Sequence, residues 1–261
     1  MENYTLITGA SSGIGEAYAR EFAKQGCNLI IVARSKHKLD ALAKELQQKN
    51  SIQVKTIDMD LSTENSALKL YEKITENNIR VETLINNAGF ATKGLFDEIS
   101  VEMQHQELLL NVATLTELTY FIIKDMKKYK KGLVINVASS VAFNPFPYSA
   151  VYAATKAYVL SFSEALSYEY KRFNLKVLAV CPGPTDTHFF DSFDNSTNRL
   201  RKPEDVVNTT MKALKKNKNI CTDGFASKVQ MLLHRIAPRR LVIKITGKSG
   251  ETAWGLEKQH R

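Results

Sequence analysis

Short apolar runs alternate with longer helical patterns along most of this 261-residue chain. No other feature narrows its fold so far. Residues 4–8, 28–33, 52–57, 83–86, 133–138, 176–180 and 219–222 read as strands. Between them, helices are expected at about 13–25, 36–49, 64–77, 101–128, 151–173 and 203–216. Pro203 suits a helix start, where its missing N–H costs little. Several strands are apolar on both faces, as in Leu29-Ile30-Ile31-Val32, so both sides of the sheet must be covered. Strict alternation of strand and helix implies parallel pairing with helical crossovers. The expected architecture is α/β: a Rossmann-like, doubly wound parallel sheet in three α/β/α layers. We expect one domain over 1–261, with a core of about 1–222 and a helical extension of about 223–261.

Composition removes several function classes. No stretch approaches the 18 or more apolar residues of a membrane span. The Met1–Thr8 start lacks the basic and apolar regions of a signal peptide, so a cytoplasmic location is expected. Cys27, Cys181 and Cys221 form no CxxC pair, which fits a reducing compartment. Five scattered histidines show no metal-ligand spacing, and no metal is expected. Net charge is +9, yet residues 199–261 alone hold 15 Lys and Arg against 5 Asp and Glu. The basic character belongs to that last quarter. No nucleic-acid motif accompanies it, so nucleic acid is not an expected partner.

The first strand runs into Thr8-Gly9-Ala10-Ser11-Ser12-Gly13-Ile14-Gly15, and a helix follows at once. A glycine-rich strand-to-helix turn lets the backbone approach a pyrophosphate, and the helix N-terminus attracts that anion. Ser11, Ser12 and Ile14 are the expected loop contacts. The spacing is GxxxGxG rather than GxGxxG. After the second strand come Arg34 and Ser35, with no acid to bond a ribose 2′-hydroxyl. Arg34 can instead pair with a 2′-phosphate. Such a pair is worth about 1.5–3 kcal/mol, roughly a 10- to 150-fold preference for NADP over NAD.

Tyr152 and Lys156 form a YxxxK pair at a helix start. The pattern is weak alone, since Tyr120 and Lys124 repeat it inside a long helix. Context separates the two. Ser139 ends an apolar strand 13 residues before Tyr152, whereas the residue 13 before Tyr120 is Glu107, in mid-helix.

With these residues in place the chain resembles the short-chain dehydrogenase/reductase superfamily, in an NADP-preferring branch, over about residues 4–190. The motifs that carry the resemblance are the Thr8–Gly15 loop, Asp60-Leu61, Asn86-Asn87-Ala88-Gly89, Asn111, Ser139, Tyr152, Lys156 and Pro182-Gly183. It implies an oxidoreductase using NADP(H) on a carbonyl/alcohol pair, with Asn111, Ser139, Tyr152 and Lys156 as the catalytic set. Tyr152 would exchange a proton with the substrate oxygen, and Ser139 would hydrogen-bond that oxygen. Lys156 would hold the nicotinamide ribose. Asn111 would break helix regularity and hold a water near Lys156. A lysine about 4 Å from the phenol would stabilise a phenolate by about 4 kcal/mol, which lowers the tyrosine pKa by up to about 3 pH units. The resemblance also places Gly9, Ser11, Ser12, Gly13, Ile14, Gly15, Arg34, Asp60, Leu61, Asn87, Ala88, Gly89, Pro182, Gly183, Thr185 and Thr187 at the cofactor.

The segment after Pro182-Gly183, about 188–200, carries Phe189, Phe190 and Phe193 and resembles a substrate cover. Phe143, Phe146 and Tyr148 would form the opposite wall. The substrate would be a partly apolar small molecule. Val229, Leu232, Leu233 and Ile236 line one helix face, and Arg235, Arg239, Arg240, Lys244 and Lys248 intersperse it and the segment after Pro238. This end has three candidate roles: completing the pocket or core, pairing subunits, or docking on an anionic membrane surface. Homodimers or homotetramers are expected. Alternative readings are an NADP-binding scaffold or sensor without turnover, and a membrane-associated lipid or acyl carbonyl reductase.

Overall fold

The structure is a computed structural model, and it describes residues 2–76, 79–187, 200–224 and 237–253. The segment 188–199, with its three phenylalanines, lies outside these residues, as does the 227–236 helix face.

Among the described residues seven parallel strands form the sheet: β1 (Asn3–Thr8), β2 (Asn28–Ala33), β3 (Val54–Asp58), β4 (Arg80–Asn86), β5 (Gly132–Val137), β6 (Leu175–Cys181) and β7 (Ile220–Thr222). Their order is β3-β2-β1-β4-β5-β6-β7, so the chain reverses direction across the sheet at β1 and β4. The helices are α1 (Gly13–Lys24), α2 (Lys36–Lys49), α3 (Ser66–Glu76), α4 (Val101–Leu108), α5 (Leu115–Tyr129), α6 (Ala150–Tyr170), α7 (Pro203–Lys215) and α8 (Arg239–Ala253).

Strand alternation explains the two-sided core. Ile7, Ile31, Ile85 and Ile135 pack beneath α1, α2 and α7, with Tyr18, Leu39 and Val206. Their chain neighbours Leu6, Ile30, Leu84 and Val134 point the other way, toward α3 and α5, with Leu70 and Leu118. Each such buried side chain contributes about 1.5–3 kcal/mol over leaving it in water. No helix among the described residues is long and apolar enough to cross a membrane.

The structure departs from the periodicity in places. The expected single helix over 101–128 is split by a π-helical turn at Leu109–Thr114, with Asn111 inside it. The third strand begins two residues later than expected, at Val54; the Gln53 N–H donates to the Asn28 side chain rather than to a β2 carbonyl. Beyond Pro238 the apolar 239–245 segment continues as helix to Ala253.

Candidate active site

All seven strands run the same way, so the loops after their C-terminal ends share one edge of the sheet. In open α/β sheets ligands sit there, at the point where strand order reverses. Here that point lies beyond β1 and β4. Every site residue expected from the sequence is on this edge, on α6, or in the turn between α4 and α5.

The glycine loop is held by its backbone shape. Gly9 and Gly13 have φ of +66° and +57°, the left-handed region that favours glycine. A Cβ on Gly9 would lie 2.9 Å from Ala88 Cα, one on Gly13 would lie 2.8 Å from Thr187 Cγ2, and one on Gly15 would strike the Gly9 carbonyl oxygen. Asn87 pins the loop, its Nδ2 donating to the Thr8 and Gly9 carbonyls at 3.0 and 3.1 Å. The N–H groups of Asn87 and Ala88 donate to Thr8 Oγ1 at 3.0 and 3.1 Å. Ser12 occupies the N-cap of α1 without a side-chain cap bond. Neither a Cβ nor a capping side chain therefore crowds this helix N-terminus, and the cradle fits a pyrophosphate.

Farther along the edge, Arg34 is exposed just past β2. Asp60 accepts from the Ser62 N–H at 2.9 Å and hydroxyl at 2.6 Å. Burial opposes its ionisation, but the Ser62 bonds and the Arg34 charge keep its pKa below the usual carboxylate range. The Leu61 carbonyl accepts from Ser66 and Thr114 at 3.0 and 2.9 Å, tying this loop to α3 and the π turn.

The end of the site beyond β5 is half-buried at Ser139 and Tyr152 and buried at Lys156 and Asn111. Ser139 follows β5, and its Oγ accepts from the Val141 N–H at 3.3 Å. It is also hydrogen-bonded to Tyr152. Lys156 is 5% exposed and donates from Nζ to the Val137 carbonyl at 3.0 Å. Its Nζ is 5.7 Å from the centre of the Tyr152 ring. Asn111 is 1% exposed. Its Oδ1 accepts from the Phe90 N–H at 3.2 Å, while Nδ2 donates to the Phe90 carbonyl at 2.9 Å and to Thr155 Oγ1 at 3.2 Å. The Asn111 side chain thus holds the β4 loop against α6. Gly89 separates Asn111 from the lysine, since a Cβ there would lie 2.8 Å from Asn111 Oδ1 and 3.4 Å from Lys156 Nζ.

One expectation is reversed. The lysine was to lower the Tyr152 pKa, yet burial pushes it above its ordinary value. The Ser139 bond opposes that rise, and the charge of Glu107 adds to it. The same burial lowers Lys156 from the usual 10.5 to about 8. Burial disfavours the charged form of each group, so the phenol rises and the ammonium falls.

After β6, the Pro182 carbonyl accepts from the Ser140 N–H at 2.8 Å, fixing Pro182-Gly183 beside Ser139. Thr187 lies against Gly13. Thr185 is buried and donates its hydroxyl to the Gly183 carbonyl at 2.9 Å, so only Thr187 of this pair faces the loop. Cys181 is buried, and burial pushes its thiol up to about 12, which suits packing rather than reactivity. The repeated pattern at Tyr120 and Lys124 lies on a solvent face, with Tyr120 61% exposed.

The basic end meets the site through α8. Thr246 Oγ1 donates to the Pro145 carbonyl at 3.0 Å, and the Tyr148 hydroxyl donates to Glu251 Oε1 at 2.9 Å. Tyr148 has φ of +63°, a costly conformation for a bulky residue, held by these contacts and by the Gly94 N–H on its carbonyl. The helix therefore braces the Phe143–Tyr148 wall that precedes Tyr152.

Two features escaped the sequence reading. Asn86 and Asn136 face each other in register, Nδ2 to Oδ1 at 2.8 Å, beneath the site. Asparagines inside otherwise apolar strands were the available signal. Glu107 is 0% exposed and donor-bonded by Thr92. A sequence gives no sign that a mid-helix glutamate is buried.

Comparison with known proteins agrees with this geometry. The family model described as short chain dehydrogenase matches residues 3–198. Human 17-beta-hydroxysteroid dehydrogenase type 3 is 33% identical over 191 residues, which span 72% of this chain and 60% of that protein. Bovine very-long-chain 3-oxoacyl-CoA reductase is 29% identical over 220 residues, 82% of this chain and 69% of that one. The solved short-chain dehydrogenase from Sphingobium yanoikuyae in complex with NADPH superposes with a TM-score of 0.82 at 30% identity, covering 89% of this chain and 92% of its own. From its sheet order, its glycine cradle and this match, the chain belongs to the short-chain dehydrogenase family, oxidoreductases that act on CH–OH donors.

Proposed function

We propose that this chain is an NADP(H)-dependent oxidoreductase that interconverts a carbonyl and an alcohol on a bulky, partly apolar substrate. The observation that carries the reading is the meeting of Ser139, Tyr152 and Lys156 at the sheet edge that also holds the glycine cradle. When bound, the nicotinamide supplies or takes up the hydride. The glycine loop and the N-terminus of α1 hold the pyrophosphate, and Arg34 holds the 2′-phosphate. Asn87 fixes the loop, while Asn111 fixes Phe90 beside α6. Ser139 and Tyr152 both present hydroxyls to the substrate oxygen. As charge develops on that oxygen, Tyr152 donates its proton; in oxidation it accepts one. The raised Tyr152 pKa keeps the phenol protonated at neutral pH, the form that can donate. A charged Lys156 eases proton release from Tyr152.

The NADPH complex of the Sphingobium relative supports the cofactor assignment, and the names of the human and bovine relatives support a bulky lipid-like carbonyl. The same reading carries pairing between copies through α5 and α6, whose Tyr120 and Tyr168 are highly exposed. A cytoplasmic location goes with it.

Calorimetric titration with NADPH and NADH, on wild type and Arg34→Ala, tests the cofactor half. NADPH should bind at least about 10-fold tighter, and Arg34→Ala should erase the gap. A screen of steroid ketones and 3-oxoacyl thioesters for NADPH oxidation tests the rest. Tight NADPH binding with no turnover on any carbonyl would leave a cofactor-binding scaffold as the better reading.

A further inference from the structure

A carboxylate lies near the reactive end. Glu107 is on α4, one helical turn before Asn111, and its side chain is fully buried. Oε2 accepts from the Thr92 hydroxyl at 2.6 Å and the Thr92 N–H at 3.2 Å. Oε1 is buried with no hydrogen-bond partner. A buried carboxylate oxygen in that state is costly unless a charge or a ligand compensates it. The compensating charge is on α6: α4 packs on α6, and Asn111, one turn from Glu107, and Lys156 both lie against Gly89, which places Glu107 within electrostatic reach of Lys156 and Tyr152. Among the described residues, Cys181, on β6, also acts on Lys156, and Tyr152 faces it from the same helix.

We propose that Glu107 is a positioning residue for the proposed reaction, whose buried carboxylate keeps Lys156 charged beside Tyr152. The inference rests on the Tyr152–Lys156 reading above and deepens it. A lysine taken out of water tends to lose its proton, and an uncharged Lys156 can no longer favour proton release from Tyr152. The carboxylate opposes that loss through the protein interior, where screening by salt is weak. Burial raises the Glu107 pKa above the usual carboxylate value, and the two Thr92 donors and the Lys156 charge limit that rise and favour the ionised form. Removing the negative charge lowers the proton affinity of both Lys156 and Tyr152. Every pH limb that depends on them should move the same way, toward lower pH.

The direct test reads Lys156 itself and needs no substrate. Full-length protein carrying lysines labelled with carbon-13 at Cε is titrated by NMR, and the Lys156 signal is assigned by its loss in Lys156→Met. The wild-type midpoint should lie near 8. Glu107→Gln preserves shape and should lower that midpoint by about one pH unit, a tenfold change in proton affinity. Thr92→Val removes the short donor but keeps the carboxyl, and should shift the midpoint the same way by less. This second variant carries the test if Glu107→Gln does not fold. Midpoints that coincide with wild type in each folded variant would overturn the proposal. Loss of carbonyl turnover in the wild-type screen would instead break the Tyr152 reading, and the NMR titration does not depend on that assay.

Discussion

The two halves of the sheet edge hold their functional residues by different means. Beyond β1, β2 and β3 the cofactor half is made mostly of backbone, left-handed glycines and an open helix N-terminus, with the exposed Arg34 side chain beside them. Beyond β4, β5 and β6 the reactive half is made of buried side chains, among them Glu107, Asn111 and Lys156. The first half depends on shape that a single Cβ spoils. The second depends on charges whose proton affinities follow from burial. Damage to the first should appear in cofactor binding, and damage to the second in rates and pH dependence.

The comparison is sharpest at Tyr152. Tyr152→Phe should lower turnover by about 10²- to 10⁴-fold, the range for loss of a general acid. NADPH affinity should stay within about 3-fold of wild type. Stopped-flow rates beside calorimetric titration would check both. A large loss of cofactor affinity in this variant would break the division between the halves.

Gly15→Ala reverses the pattern. Its new Cβ meets the Gly9 carbonyl, which must shift, so the loop loses its approach to the pyrophosphate. NADPH affinity should fall at least about 30-fold, about 2 kcal/mol. The Lys156 titration should be unchanged, because the lysine is held from β5. Titration by calorimetry and by NMR reads the two outcomes separately.

Lys156 also makes a stability prediction. Its folded pKa is lowered from 10.5 to about 8. Between those values the unfolded chain binds a proton that the native site releases, so this residue makes stability rise with pH from about 8 to 10.5. The integrated effect is on the order of 3 kcal/mol. Urea midpoints measured across that window should climb in wild type relative to Lys156→Met. Parallel curves for the two proteins would show that the lysine is better solvated than its burial implies.

The smallest expected effect is at the periphery of the reactive half. Glu251→Leu removes the acceptor of the Tyr148 hydroxyl. The wall before Tyr152 should loosen, raising KM about 3- to 10-fold with little change in kcat, a loss of about 1 kcal/mol in binding. Steady-state kinetics on the best ketone from the screen would show it. An unchanged KM would detach α8 from the substrate side.

The cofactor half was the more legible one in the sequence. Its glycines and Arg34 lie within local strand-to-helix turns, where spacing along the chain sets spacing in space. Ser139, Tyr152 and Lys156 were legible through their spacing and order, although Tyr120 and Lys124 show how little the local pattern says alone. Glu107 was read only as a mid-helix residue, and its burial comes from the packing of α4 on α6 and the Thr92 loop. The π turn at Asn111 was expected only as an irregularity, since its backbone geometry depends on neighbours far along the chain.

The sequence by itself determined the alternation of strands and helices, the glycine cradle and the residues proposed to exchange a proton with a substrate. These depend on local periodicity and side-chain chemistry. Only the tertiary structure decided the protonation balance of that site. Burial raised Tyr152, lowered Lys156 and brought Glu107 into electrostatic reach of both, because desolvation depends on what packs around a group rather than on its neighbours in the chain.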